Sequence, residues 1–263
     1  MIGIFDSGIG GLTVVKEVQK QLPNYQIMYF GDTARLPYGT KGKETITKFG
    51  LEDAAFLEQH GAKLVVIACN TASAVAASAI RAKAGVPVFD VIGPAVEKAA
   101  QVTKNKKIGV IGTYATIGSG VYEQLLKAKH PDMKVLGRAA PLLVPLVEEG
   151  WLKRPETKRI LKAYVRPLLQ QGIDTLILGC THYPFLKSML QQYTGRRVTL
   201  VDPAEETAKA LALFLKNHPD LEVSLTKSPD HHFYLSDVTP RFQEIASKWL
   251  GMKIKIEKAE SSS

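Results

Sequence analysis

At 263 residues, with 45% hydrophobic and 22% charged, the chain has the size and composition of one large globular domain or two smaller ones. Met1 leads directly into Ile2-Gly3-Ile4-Phe5 without a basic leader, and no apolar run approaches the roughly 20 residues of a bilayer span. A soluble, cytoplasmic chain with no membrane partner is therefore expected. The net charge of +9 comes from dispersed Lys and Arg, densest at Lys104-Asn105-Lys106-Lys107, without interleaved aromatics. That pattern describes a solvated surface, so no specific nucleic-acid partner is expected, although a positive field would favour a small dianionic substrate.

Taken in order, Ile2 to Phe5 predicts a strand, Asp6-Ser7-Gly8-Ile9-Gly10-Gly11 a glycine-rich turn and Leu12 to Gln21 a helix. Such a unit presents backbone N–H groups to an anion, but the dinucleotide fingerprint needs a glycine where Thr13 stands. Taken alone, Asp6 and Ser7 read as a turn or a helix cap. Tyr25 to Phe30 predicts a second strand. The loop from Gly31 to Gly39 is long enough to lean over a cleft, offering the Tyr38 phenol and the Gly39 N–H.

Glu44 to His60 has helical amphipathicity and leads into an apolar strand, Val65-Val66-Ile67-Ala68, that stops at Cys69-Asn70-Thr71. The following helix, Ala72 to Ala84, places Asn70 and Thr71 at a helix N-terminus, where an anion or thiolate is favoured. Val86 to Ile92 predicts a short strand, and Gly93-Pro94 a break.

Beyond that break the pattern starts again. Lys107 to Thr113 echoes Ile2 to Ser7, Thr113-Tyr114-Ala115-Thr116 opens a helix, and Glu156 to Gln171 mirrors Glu44 to His60. A second apolar strand, Leu176-Ile177-Leu178-Gly179, then stops at Cys180-Thr181-His182, and Gly61 and Gly172 stand at the same offset before the two cysteines. In the tail, Asp202-Pro203 to Lys216 predicts a helix, His231 to Ser236 a strand and Arg241 to Leu250 a helix. Met252 to Glu257 alternates as a half-exposed strand, and Ala259 to Ser263 is expected to be disordered.

The repeat predicts an α/β fold of two similar α/β domains with mainly parallel sheets, related by a pseudo-two-fold axis. Residues 1–94 with 206–263 would form the first domain, which the repeat leaves short of strands, and 95–205 the second. Ligands of such sheets bind beyond the carboxyl ends of the strands, which places the active site in the cleft between the domains.

Cys69 and Cys180 are the only cysteines; they form no CxxC, no zinc-type spacing and, in a cytoplasmic chain, no expected disulfide. One buried thiol is ordinarily a small hydrophobe. Two at matching polar strand ends suggest a pair on opposite walls of a cleft. Such a pair suits inversion of a stereocentre, each thiol being base in one direction and acid in the other. Asp6 could accept the proton of Cys69, His182 could serve Cys180, and Glu148 could orient His182. Singly, Glu148 reads as a solvated helix end and His182 as a cap.

Four segments together, Phe5 to Thr13, Gly31 to Gly39, Ala68 to Ala72 and Gly179 to Pro184, make the chain resemble the bacterial glutamate racemases of the aspartate/glutamate racemase family. The resemblance implies two α/β domains around a central site, no cofactor or metal, and interconversion of L- and D-glutamate, supplying D-glutamate for peptidoglycan. It further implies a homodimer. Under it, Cys69 takes the α-proton from D-glutamate and Cys180 from L-glutamate. Asp6, Glu148 and His182 are the assisting acid/base groups, with Asp32 a weaker candidate. Substrate contacts would come from Asp6, Ser7, Tyr38, Gly39, Asn70, Thr71, Thr113, Thr116, Thr181 and His182.

Neutral donors of this kind suit a cofactor-free site, where carbanion character must be met by hydrogen bonds placed in advance. The rival readings are an aspartate or hydantoin racemase and, in another class, a thiol redox protein. The missing CxxC disfavours the last. Aspartate racemases tend to carry Glu at the position of His182 and lack the Phe5-Asp6-Ser7-Gly8 opening.

Overall fold

In the computed structural model, which describes residues 1–259, strand and helix alternate almost throughout. The first stretch comprises β1 (Ile2–Asp6), α1 (Leu12–Gln21), β2 (Ile27–Gly31), α2 (Lys43–Gln59), β3 (Leu64–Ile67), α3 (Asn70–Lys83) and β4 (Val88–Asp90). The second comprises α4 (Ile92–Val102), β5 (Lys107–Gly112), α5 (Tyr114–Gly118), α6 (Val121–Lys129), β6 (Lys134–Ala139), α7 (Leu143–Glu148), α8 (Pro155–Gln170), β7 (Thr175–Gly179), α9 (Lys187–Thr194) and β8 (Thr199–Val201). The tail adds α10 (Pro203–Asn217), α11 (Pro219–Ser224), β9 (His232–Leu235), α12 (Pro240–Leu250) and β10 (Ile256–Lys258).

The strands form two sheets, one of six in the order β10-β9-β2-β1-β3-β4 and one of four in the order β6-β5-β7-β8. Every ladder is parallel. Burial follows from the pattern: β1, β3 and β7 are continuous apolar runs buried on both faces, whereas β6 is half open, as an edge strand should be. The tail strands β9 and β10 extend the first sheet beyond β2. In each sheet the chain steps from a central strand to one side and returns on the other. The switch points thus lie between β1 and β3 and between β5 and β7. The repeat is also visible where the helices end: α2 and α8 both stop at a left-handed glycine, Gly61 (φ +88) and Gly172 (φ +76).

Three details depart from the sequence reading. Gly93-Pro94 does not break the chain but lies in the first turn of α4, where Asp90 Oδ1 accepts from the N–H groups of Ile92 (2.7 Å) and Gly93 (2.9 Å). Proline is harmless there because first-turn N–H groups have no helical partner. The strand before it is correspondingly short. The alternation from Met252 to Glu257 yields a strand only from Ile256, because α12 ends at Gly251 (φ +72) and the chain must first return to the sheet edge. Of the expected disordered end, Ala259 donates its N–H to the Leu235 carbonyl at 2.9 Å; residues 260–263 lie outside the described residues.

The proposed domain divisions at 94/95 and 205/206 fall inside α4 and α10, two helices that pack on one another, so the crossovers between the lobes are helical. A single apolar cluster runs through both lobes, from Ile4 and Val15 to Leu161, Leu176 and Leu211. Among the described residues, no helix is long and apolar enough to cross a membrane.

One buried side chain ties the turn after β7 to its own sheet. The Tyr183 hydroxyl lies 3.2 Å from the Gly112 carbonyl and 2.9 Å from that of Ala140, at the ends of β5 and β6. Tyr183→Phe removes this donor from two carbonyls that keep backbone partners, the Ala140 N–H on Gly112 and the Leu143 N–H on Ala140, and should lower stability by about 0.5–1.5 kcal/mol. Urea unfolding should show it as a lower midpoint at unchanged slope.

Candidate active site

Cys69 follows β3 and caps α3: its backbone is still extended, and its Sγ accepts the Ala72 N–H at 3.4 Å. Its thiol reaches the Ser7 hydroxyl, in the turn after β1, at 3.6 Å. Burial and the nearby Asp6 push the thiol up to about 12, against the smaller pull of the Ala72 N–H and the Ser7 hydroxyl. Cys69 therefore rests as a protonated acid.

Cys180 follows β7, and its surroundings differ. His182 Nδ1 lies 3.7 Å from its Sγ, while His182 Nε2 meets Glu148 Oε1, at the end of α7, at 3.1 Å. Burial alone would lower the His182 pKa, but hydrogen bonds to Cys180 and Glu148 outweigh it and raise the imidazole to about 10. An imidazolium thus stands against the second sulfur. Helix α12 braces this group: Trp249 meets His182 edge-on at 6.0 Å, and Arg241 Nη2 bonds the Glu148 carbonyl (3.3 Å) and the Glu149 carboxylate (2.7 Å).

Both cysteines line one cavity of about 310 Å³ between the lobes. Its walls include Ser7, Tyr38, Gly39, Asn70, Thr71, Thr113, Glu148, Thr181 and His182, so most of the expected site residues converge there. Among its lining residues there is no Lys or Arg. A seam of hydroxyl and amide groups crosses between the lobes: Thr71 Oγ1 lies 2.9 Å from Thr113 Oγ1 and 3.2 Å from Thr116 Oγ1. Tyr122 donates to Asn70 Oδ1 at 2.7 Å, which leaves the Asn70 amide N–H groups for the cavity.

Four of the expected residues, Asp6, Thr116, Tyr38 and Asp32, have their polar groups set back from the cavity wall. Asp6 does not line the cavity; it is fully buried behind it, bonded to the Gly8 N–H (3.1 Å) and the Thr181 hydroxyl (3.4 Å). It makes no hydrogen bond to Cys69, so it acts on that thiol through its charge, and burial raises its own pKa despite the opposing field of His182. Thr116 stands behind Thr71 and Thr113 rather than at the wall. The Tyr38 hydroxyl points away from the cavity, to Asp32 and Asp53, and Asp32 is buried in that contact.

The apolar wall made by Pro141, Val144 and Pro145 was not anticipated. The signal was available in the short proline-flanked apolar run that precedes Glu148, which forms α7. Among the described residues no cluster of His, Cys, Asp or Glu has metal-ligating geometry.

Two parallel α/β lobes thus each bring a strand-end thiol to one small polar cavity. The family model for Asp/Glu/Hydantoin racemase matches residues 10–211, and the chain belongs to that family. It is 47% identical to the glutamate racemase of Geobacter metallireducens over 253 residues, 96% of this chain and 93% of that protein. Among solved structures, a glutamate racemase isoform from Bacillus anthracis superposes with a TM-score of 0.93 at 39% identity, covering 99% of this chain and 97% of the other. The glutamate racemase of Francisella tularensis in complex with D-glutamate gives 0.91 at 37% identity, with 98% and 97% covered.

The His182 contacts carry a consequence for stability. Because folding raises this imidazole from 6.5 to about 10, its contribution is complete below pH 6.5 and is lost as pH climbs through about 10. The unfolding temperature of the wild type should fall across that window. In His182→Gln this limb of the pH profile should flatten.

Proposed function

We propose that the chain is a glutamate racemase, exchanging the α-proton of glutamate between two thiols on opposite faces of Cα. The observation that carries this reading is that Cys69 and Cys180, at the carboxyl ends of equivalent strands in separate sheets, line the same cavity. The glutamate racemases named above support the choice of substrate.

From L-glutamate, the Cys180 thiolate takes the α-proton, and the electron pair left at Cα takes the proton of the Cys69 thiol from the other face. Cys180 ends protonated and Cys69 ends as the thiolate; the reverse sequence runs from D-glutamate. The assignment of faces follows the family resemblance alone. Cys69, buried beside Asp6 and pushed up to about 12, rests as the acid, while the His182 imidazolium stands ready to balance charge on Cys180.

Positioning of both groups in advance removes the entropy of bringing acid, base and carbon together. The substrate carboxylates would be met by hydroxyls of Ser7, Thr71, Thr113 and Thr181, the Asn70 amide and the Gly39 N–H. These neutral donors are already oriented and need no reorganisation as charge builds at Cα. As parts of the same proposal, the enzyme is a cytoplasmic homodimer that needs no cofactor and supplies D-glutamate for peptidoglycan.

Cys69→Ala should reduce racemisation of either enantiomer below detection while calorimetric binding of glutamate stays within a few-fold of wild type. Retained turnover in that variant, purified from a host lacking its own racemase, would overturn the mechanism. In D₂O, L-glutamate should acquire deuterium at Cα as its optical rotation decays, with no added cofactor. Aspartate run in parallel should keep both its mass and its rotation.

A further inference from the structure

The segment between β2 and α2 makes one wall of the cavity through Leu36, Pro37, Tyr38, Gly39 and Thr40, yet its only regular structure is two single 3₁₀ turns. Its shape is set from below. Asp32 and Asp53, both without exposed surface, flank the Tyr38 hydroxyl, and Arg35 bridges the same two carboxyls. Arg35 itself lies over the Phe49 ring at 4.2 Å.

Counting protons shows that this cluster is not two simple carboxylates. Asp32 Oδ2 receives Arg35 Nε at 2.6 Å and also the Tyr38 hydroxyl, and Asp32 Oδ1 receives the Ser236 hydroxyl at 2.9 Å. The Ser236 oxygen also accepts the Ala34 N–H, at 2.9 Å. The Tyr38 hydroxyl has a single proton but lies within hydrogen-bond reach of Asp32 and also of Asp53 Oδ2, at 2.9 Å. With the phenolic proton given to Asp32, the second contact holds only if Asp53 supplies a proton of its own. Its other oxygen accepts Arg35 Nη2 at 3.0 Å, which a neutral carboxyl can do. Burial and the neighbouring Asp32 both push Asp53 well above the usual carboxylate range, in agreement with the count.

We propose that Asp53, held as a neutral carboxyl that donates to the Tyr38 hydroxyl and accepts from Arg35, is a positioning residue that sets the substrate-facing loop. Its influence passes along the chain from Tyr38 to Gly39. A Cβ on Gly39 would stand 2.6 Å from Thr113 Cβ of the opposite lobe, so the Gly39 backbone is seated against that residue without slack. A shift of the Tyr38 ring therefore moves the Gly39 N–H relative to Thr113, and the two groups would cease to face one substrate together. This consequence for catalysis rests on the glutamate racemase reading; the placement of the proton does not.

The test compares Asp53→Asn with Asp53→Leu. Asparagine reproduces a neutral carboxyl, its carbonyl accepting from Arg35 and its amide donating to Tyr38, so KM for both enantiomers should stay within about twofold of wild type. Leucine removes both contacts, and KM should rise about tenfold or more, the size expected for one buried hydrogen bond lost, with kcat changed less than about threefold. Hydrogen–deuterium exchange gives a readout independent of glutamate: amides 33–40 should exchange faster in the leucine variant and unchanged in the asparagine variant, with those of β3 as the internal reference. Should Asp53→Leu fail to fold, Tyr38→Phe should produce the same acceleration in the loop. An asparagine variant as impaired as the leucine one would mean that Asp53 is charged and would overturn the proposal, as would a leucine variant with normal KM and loop exchange. If the wild type itself does not turn over glutamate, the functional reading fails, and the exchange comparison still decides the role of Asp53.

Discussion

Parallel pairing is the constraint on which the rest of the molecule depends. When all strands of a sheet run one way, their carboxyl ends collect on a single edge, and the loops after adjacent strands become neighbours however far apart they are in sequence. The pairing of β1 with β3 puts Ser7 beside Cys69, and that of β5 with β7 puts Thr113 near Cys180. Since the two sheets turn these edges toward one another, a single cavity receives a thiol from each. No long excursion of the chain is needed to build the site, only two copies of a strand, turn and helix unit.

The copies are alike in backbone and unlike in electrostatics, and the difference is chemically useful. Cys69 is buried with a carboxyl behind it and only neutral donors around it, which keeps its proton on the sulfur. Cys180 faces an imidazole that is held protonated by its own hydrogen bonds and by Glu148. The two thiols thus sit in an asymmetric setting. The supporting groups that create it come from elements with no counterpart in the other lobe: α7 supplies Glu148, and α12 of the tail braces both Glu148 and His182.

Much of this was legible before any coordinates. The helix from Leu12 to Gln21 and the two cysteine strands are where periodicity and composition place them, because buried parallel strands read as uninterrupted apolar runs. Helix α4 was read as a break because Gly93-Pro94 signals one unless a side chain shortly before it, here Asp90, accepts the first free N–H groups. Helix α7 was legible only as the helix end at Glu148, because it is six residues long and holds Pro145. Tyr38 and Asp32 carry the right groups for a substrate site, yet the Tyr38 hydroxyl bonds both Asp32 and Asp53 on α2, and nothing in the pattern of that helix sets Asp53 apart from its other acidic residues, Glu44, Glu52 and Glu58.

By itself, then, the amino-acid order determined the alternation of strand and helix, the duplication of the unit, the parallel sheets and the two thiols with their polar neighbours. All of these are local properties, written in spacing and residue type. Which polar side chains face the ligand, which stand one layer behind, and how each thiol is biased were decided only by tertiary structure. Burial, the field of a neighbouring charge and the direction of a hydrogen bond depend on residues distant in the chain, and a linear pattern carries no record of those encounters.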